Sequence, residues 1–166
     1  PNVDLALHQF DECDSSPLST LWPNLENLAI VSTLTNNPVR TCTTLVQPEG
    51  ISTEIVEPTS PVTDALLDSF LSSLQPTDFL VMMGSIPPNA GDDIYGRCVS
   101  KSRPTIAIID TTSRLMLSHV CTSAAHDTQV ILKCNVDELL SMTDSPTDLN
   151  STIDLIMNTS PKLAAI

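Results

Sequence analysis

Glycine and basic residues are both scarce in this chain, and each shortage argues against a class of function. Only 4 of the 166 residues are glycine, and neither a G-x-G-x-x-G nor a G-x-x-x-x-G-K-[ST] pattern occurs. The backbone loops that cradle phosphate in many nucleotide-binding proteins are therefore missing. The 7 Lys and Arg residues face 20 Asp and Glu, a formal net charge of −13. We expect neither nucleic acid nor a membrane as a partner, because no basic cluster could neutralise several phosphates.

Long apolar runs and paired cysteines are also missing, and we expect no secretory leader. No stretch approaches the length that spans a bilayer, and residues 1–20 have neither a basic start nor an apolar core. The 5 cysteines are odd in number and widely spaced, so we interpret them as reduced, buried thiols. The 3 scattered histidines are interpreted as surface or structural residues. Together these features predict a globular cytoplasmic protein.

What the sequence does contain is a regular alternation of helical and strand patterns after a weakly organised start. Residues 1–37 are polar and interrupted by prolines, and we treat them as a poorly defined segment. Residues 38–166 form the predicted domain. It opens with a β-hairpin, whose strands over 39–46 and 51–56 flank a Pro-Glu-Gly turn.

From Pro61 onward, apolar runs of strand length alternate with amphipathic helical patterns. Strands are predicted over 79–83, 105–109 and 129–133, and helices over 61–74, 92–100, 113–119, 136–142 and 147–157. The strands are continuously apolar, which is typical of parallel sheets with both faces covered. The sequence therefore predicts an α/β fold with a mostly parallel sheet flanked by helices.

Two of the predicted strand-to-helix junctions carry candidate site residues. Gly84-Ser85 ends the strand over 79–83, and Pro87-Pro88 then prevents an immediate return to helix. The carboxyl ends of strands are where open α/β sheets bind ligands, so Ser85 is a candidate ligand contact.

Lys133, Asn135 and Glu138 follow the strand over 129–133. Asn135 and Glu138 are three residues apart and project to the same side of a helix start. An amide and a carboxylate suit Mg²⁺, which is held through one or two carboxylates plus substrate phosphates. The alternative is a capping box that only stabilises the helix, and the spacing taken alone favours it.

Both segments resemble motifs of the ribokinase-like (PfkB) carbohydrate kinases. Gly-Ser-Ile-Pro-Pro at 84–88 is similar to the family's Gly-Ser-Leu-Pro-Pro, and Lys-Cys-Asn-Val-Asp-Glu at 133–138 to its Lys-Pro-Asn-x-x-Glu. Residues 38–41, 50–58 and 109–113 resemble further family segments in the family's order. The resemblance covers roughly 38–145 and implies a ribokinase-like, Rossmann-like sheet with an amino-terminal hairpin.

The resemblance also implies an activity, ATP-dependent transfer of a phosphoryl group to a sugar hydroxyl. It points to the phosphosugar branch, of the 1-phosphofructokinase or tagatose-6-phosphate kinase type. Arg40 and Ser85 would bind the phosphate of the sugar phosphate. Lys133, Asn135 and Glu138 would bind the nucleotide, with Asn135 and Glu138 organising Mg²⁺. The implied partners are a sugar or sugar phosphate and ATP.

Departures from the family pattern limit this interpretation. The catalytic Gly-Ala-Gly-Asp loop does not occur, and Cys134 replaces the usual proline. Without the aspartate base and its anion hole, we expect weak binding of ATP and Mg²⁺ and no kinase turnover by this chain alone. It is either a partial chain or an inactive homologue acting as a binding or assembly module; an unrelated α/β protein with coincidental motifs is the third alternative. A truncated sheet exposes edges that associate, so we also expect a homo-oligomer.

Overall fold

The chain divides into two compact units. The computed structural model describes residues 5–11, 28–35, 37, 42–48, 50–143, 148–160 and 162–165. The first unit comprises residues up to Ser73 together with Pro87–Ala90, and the second comprises Leu74–Ile86 and the chain from Gly91 onward. The predicted division at residue 37 remains a prediction.

The first unit contains two small sheets and one helix. Strand β1 (Leu5–Asp11) pairs in parallel with β2 (Leu28–Leu34). Strands β3 (Cys42–Val46) and β4 (Ser52–Val56) form an antiparallel hairpin. Helix α1 (Asp64–Ser73) follows the hairpin. The hairpin lies inside the range predicted for it, whereas β1 was not predicted.

Helix α1 packs its apolar side against β1 and β2. Leu67 and Leu71 are buried on this side. The rings of Phe10 and Phe70 stack with centroids 4.8 Å apart, and the His8 ring meets Phe70 edge-on. His8 Nδ1 lies 3.0 Å from Ser73 Oγ, which donates to the Phe70 carbonyl. Helix and strand are therefore joined by both ring packing and a polar contact.

The second unit is built on a four-stranded parallel sheet in the order β5-β6-β7-β8. Its strands are β5 (Phe79–Met82), β6 (Ile106–Asp110), β7 (Gln129–Lys133) and β8 (Leu163–Ala165). The helices between them are α2 (Ile94–Ser102), α3 (Arg114–Ser123), α4 (Val136–Ser141) and α5 (Leu149–Thr159). The predicted α/β class, with a parallel sheet flanked by helices, is confirmed.

The two faces of this sheet differ in burial. Each crossover steps to the next strand in the same direction, and right-handed crossovers of this kind place their helices on one face. On one face Met82, Ile109 and Leu132 are at most 5% exposed. On the other face Phe79 is 64% and Val81 is 52% exposed. The apolar sequence of β5 had predicted cover on both faces, and at this edge strand the second face is open.

Helices α2 and α3 approach each other closely at Gly96. A Cβ atom built on Gly96 would lie 2.9 Å from the carbonyl oxygen of His119 and 2.8 Å from Ser123 Oγ. Leu117 and Val120 of α3 are fully buried beside this contact region. No helix in the described parts of the chain is both long and apolar enough to cross a membrane.

Candidate functional site

Three neighbouring strands of the second unit end at one edge of the sheet, which we call the carboxyl edge (residues 83–85, 110–113 and 133–138). The strands are parallel, and Asp110 is the register partner of Lys133. Gly84 and Ser85 follow β5 after one intervening residue, Met83. Adjacent strands are about 4.8 Å apart, so the ends of β5 and β7 are separated by about 10 Å. A small ligand could contact both.

An ion pair joins two of the strand ends. Lys133 Nζ donates to Asp110 Oδ2 at 2.7 Å. The hydrogen bond to Asp110 and the charge of Asp110 raise the pKa of Lys133, with a smaller contribution from the Glu138 charge. The Lys133 side chain is 65% exposed and the Asp110 side chain 30%. The edge therefore presents an accessible cation at a fixed position.

Asn135 and Glu138 form the capping box at the start of α4. Asn135 Oδ1 accepts from the Glu138 amide at 2.9 Å, and Glu138 Oε2 accepts from the Asn135 amide at 2.8 Å. The capping box, which is the alternative interpretation of this spacing, is therefore present in the structure. The box engages Glu138 Oε2 and Asn135 Oδ1, the only side-chain oxygen of Asn135. The predicted role of these residues at Mg²⁺ remains a prediction.

The described residues contain no group of three or more His, Cys, Asp or Glu side chains that could hold a metal ion. A magnesium ion bound with a nucleotide does not require such a group, because phosphate oxygens and water complete its coordination. Asn135 and Glu138 therefore fit only a metal that arrives with phosphate.

The Gly84-Ser85 turn has a backbone conformation that glycine favours. Gly84 has φ +94°, and a Cβ atom built there would meet nothing within 4 Å. The backbone angle rather than a lack of space therefore accounts for glycine. Ser85 is exposed. The Tyr95 hydroxyl donates to the Gly84 carbonyl at 3.1 Å, which ties the turn to helix α2.

The junction after β6 has a structural role. The Ser113 amide donates to Thr111 Oγ1 at 3.0 Å, and Ser113 Oγ accepts from the Met116 amide at 3.2 Å. Ser113 is therefore the N-cap of α3. These bonds hold the chain immediately after Asp110 in place.

The structure brings four of the five predicted site residues to the carboxyl edge: Ser85, Lys133, Asn135 and Glu138. Arg40, the fifth, lies outside the described residues. Two participants, Asp110 and Tyr95, were not among the predicted site residues. Asp110 directly follows a predicted buried strand and lies in the 109–113 segment that resembles a kinase motif, but no role was predicted for it. Tyr95 could have been found as the sole tyrosine, placed in the first turn of the helix after the Gly-Ser turn.

No protein-family model, curated protein or solved structure matches this chain. The carboxyl edge carries an ammonium group at Lys133, a hydroxyl group at Ser85, and carboxylates at Asp110 and Glu138. Ammonium and hydroxyl groups donate hydrogen bonds to phosphate oxygens. Carboxylates suit a hydrated divalent cation. The edge is therefore chemically suited to a phosphorylated ligand accompanied by Mg²⁺.

Proposed function

We propose that this chain belongs to the ribokinase-like carbohydrate kinases, in the branch that acts on sugar phosphates. The carboxyl edge then divides into two sides. Ser85 binds the phosphate of the sugar phosphate, and Lys133 with Glu138 and Asn135 binds ATP with Mg²⁺. Arg40 is proposed as a second contact to the sugar's phosphate.

One observation carries this proposal: Lys133 ends β7 and Ser85 lies three residues after β5, and these parallel strands are two positions apart and end at the same edge. Motifs that merely coincide in sequence need not end at one edge of one sheet. Asp110 holds the Lys133 ammonium there at 2.7 Å. Phosphoryl transfer depends mainly on positioning and on charge stabilisation, and a fixed cation contributes to both.

The family's reaction needs one element that this sequence does not contain. The γ-phosphoryl group moves from ATP to a sugar hydroxyl, ADP leaves, and the hydroxyl proton passes to an aspartate base. That base lies in the Gly-x-Gly-Asp loop, and no such pattern occurs in the 166 residues. The chain alone is therefore proposed to bind these ligands weakly without transferring phosphate.

The test is a titration of isotope-labelled protein followed by amide NMR. Fructose 1-phosphate should shift the Gly84 and Ser85 signals, and Mg²⁺ with a non-hydrolysable ATP analogue should shift Lys133 to Glu138. Both dissociation constants are expected in the millimolar range. Ser85→Ala should weaken only the sugar phosphate, and Lys133→Met mainly the nucleotide. Shifts at other surfaces, or none, would refute the proposed kinship.

The titration, combined with sedimentation at several protein concentrations, also tests the second candidate, an inactive homologue that acts as an assembly module. The exposed apolar side chains of β5, Phe79 at 64% and Val81 at 52%, favour this candidate because unpaired sheet edges promote association. An absence of ligand shifts together with concentration-dependent sedimentation would support it. A monomer that binds both ligands at the carboxyl edge would exclude it.

A further inference from the structure

Tyr95 is the only tyrosine of the chain, and it lies in the first turn of α2 beside the carboxyl edge. Its hydroxyl donates to the carbonyl oxygen of Gly84 at 3.1 Å. Tyr95 lies outside all the segments that resemble motifs of the carbohydrate kinases. Its position beside the turn that carries Ser85 raises the question of what this hydrogen bond does.

The bonded carbonyl belongs to the same peptide group as the Ser85 amide. A trans peptide is planar, so fixing the direction of the Gly84 carbonyl also fixes the direction of the Ser85 N–H. This peptide would otherwise rotate readily, because Gly84 has no side chain and adopts φ +94°. The Tyr95 hydroxyl therefore restrains the backbone at the Gly84-Ser85 peptide.

The environment of Tyr95 keeps its hydroxyl protonated. Burial raises the pKa of Tyr95 above its ordinary value of about 10, and so do the Cys98 thiolate, once the pH is high enough to form it, and the Asp110 carboxylate. A phenol that stays neutral remains a hydrogen-bond donor. The Gly84 carbonyl therefore keeps its partner across the physiological pH range.

We propose that Tyr95 is a positioning residue for phosphate binding: by holding the Gly84-Ser85 peptide, it orients Ser85 towards the ligand at the carboxyl edge without contacting the ligand itself. This inference rests on the proposed function, because Ser85 is the contact proposed there for the sugar's phosphate. It adds a residue that determines how strongly the Ser85 side binds, while the Lys133 side is set separately by Asp110.

Tyr95→Phe removes the hydroxyl and keeps the ring, and Thr77→Val is its matched control. Thr77 Oγ1 donates to the Phe79 carbonyl at 3.1 Å, so this control also removes one hydroxyl bonded to a backbone carbonyl beside β5. It does so at the opposite end of the strand. Any general effect of losing such a bond should appear in both variants.

The first measurement needs no ligand. In Tyr95→Phe, relaxation dispersion should reveal exchange at the Gly84 and Ser85 amides, and in Thr77→Val these amides should behave as in the wild type. The second measurement is the titration with fructose 1-phosphate, inorganic phosphate and the Mg²⁺–ATP analogue. Tyr95→Phe should weaken both phosphate ligands roughly three- to tenfold, the usual effect of one hydrogen bond. Nucleotide affinity should not change.

The outcomes separate this inference from the proposed function. Unchanged dynamics at Ser85 in Tyr95→Phe would overturn the inference even if the wild type binds sugar phosphate. Equal weakening of phosphate and nucleotide would also overturn it, because that indicates a general structural role. If the turn loosens but wild-type protein binds no phosphate ligand, the role in phosphate binding is wrong together with the proposed function.

Discussion

Lys133 illustrates how a single residue acquires its properties from the strand beside it. As the last residue of β7 it is the register partner of Asp110, and the two side chains form a 2.7 Å ion pair. The sequence marks Lys133 as a candidate through its motif. It does not reveal the partner, because the pairing of β6 with β7 depends on strand order and register, which local patterns do not specify.

We predict that Asp110→Asn lowers the pKa of Lys133 towards its ordinary value. The hydrogen bond to Asp110 and the charge of Asp110 are the two largest causes of the raised pKa, and the amide removes the charge. Titration of the Lys133 side-chain signal by NMR at alkaline pH would measure the shift. Asp127→Asn, at an exposed position in the loop before β7, should leave the Lys133 pKa unchanged. An unaltered pKa in Asp110→Asn would show that the ion pair is absent in solution.

The same change should have little effect on stability at any pH. A raised lysine pKa contributes stability that is fully present below the unfolded-state pKa of about 10.4 and is lost as the pH rises through the folded value. Because the pair is exposed to solvent, we expect Asp110→Asn to have no measurable effect on unfolding at neutral pH. The role proposed for Asp110 is to position the Lys133 ammonium. We therefore expect Asp110→Asn to affect ligand binding alone.

Among the elements, the contact between α2 and α3 is the one most sensitive to a single substitution. We predict that Gly96→Ala destabilises the second unit, because its Cβ would come within 2.9 Å of a backbone carbonyl that cannot rotate away. Overpacking costs about 1–3 kcal/mol, and the better helix propensity of alanine offsets about 1 kcal/mol of this. Gly96→Val should cost more than Gly96→Ala.

Urea unfolding, followed by circular dichroism, would measure the free energies of unfolding of the wild type and the two Gly96 variants. Lys101→Ala, at an exposed position of the same helix, is the control. The control should change the free energy of unfolding little. A Gly96→Ala variant as stable as the wild type would show that moving α2 and α3 apart costs no more than the gain of about 1 kcal/mol from helix propensity.

A strand or helix could be predicted from the sequence where its own residues show a clear hydrophobic pattern. The apolar runs predicted β5, β6 and β7 to within one residue at each end. Strand β8, with three residues, is too short to show periodicity, and β1 mixes apolar with polar side chains. Helix α1 begins three residues after Pro61, with Thr63 Oγ1 accepting from the Leu66 amide near its first turn. The helix therefore begins next to its Thr63 cap and not at Pro61, the start that the proline alone suggested.

At the scale of the whole molecule, the division into units depends on contacts that no local pattern encodes. Pro87–Ala90 interrupts the second unit in sequence but belongs to the first. The Val62 amide donates to the Pro88 carbonyl at 3.0 Å, which ties this segment to the chain before α1. The sequence has no glycine-rich linker around Pro87–Ala90 that would indicate that this segment belongs to the first unit. The described candidate site residues all lie in one unit, where the order of parallel strands alone brings them to one edge.

The two units should also lose stability at opposite ends of the pH range. Burial raises the pKa of Cys98 in the second unit to about 11. The unfolded chain then ionises first as the pH rises, so stability falls between about pH 9 and 11 by on the order of 2 kcal/mol. Burial lowers the pKa of His8 in the first unit. Stability there is full above about pH 6.5 and falls as the unfolded chain binds a proton below it.

Hydrogen exchange measured by mass spectrometry at three pH values, corrected for intrinsic rates, would resolve the two effects. Protection should fall in β1 and α1 on the acid side, and His8→Gln should flatten this dependence while His126→Gln, at an exposed position in the second unit, should not. Protection should fall in α2 on the alkaline side, and Cys98→Ala should flatten that dependence. Since the two titrating groups lie in different units, each substitution should act on one limb only. Loss of both limbs in either variant would mean that the units unfold as one.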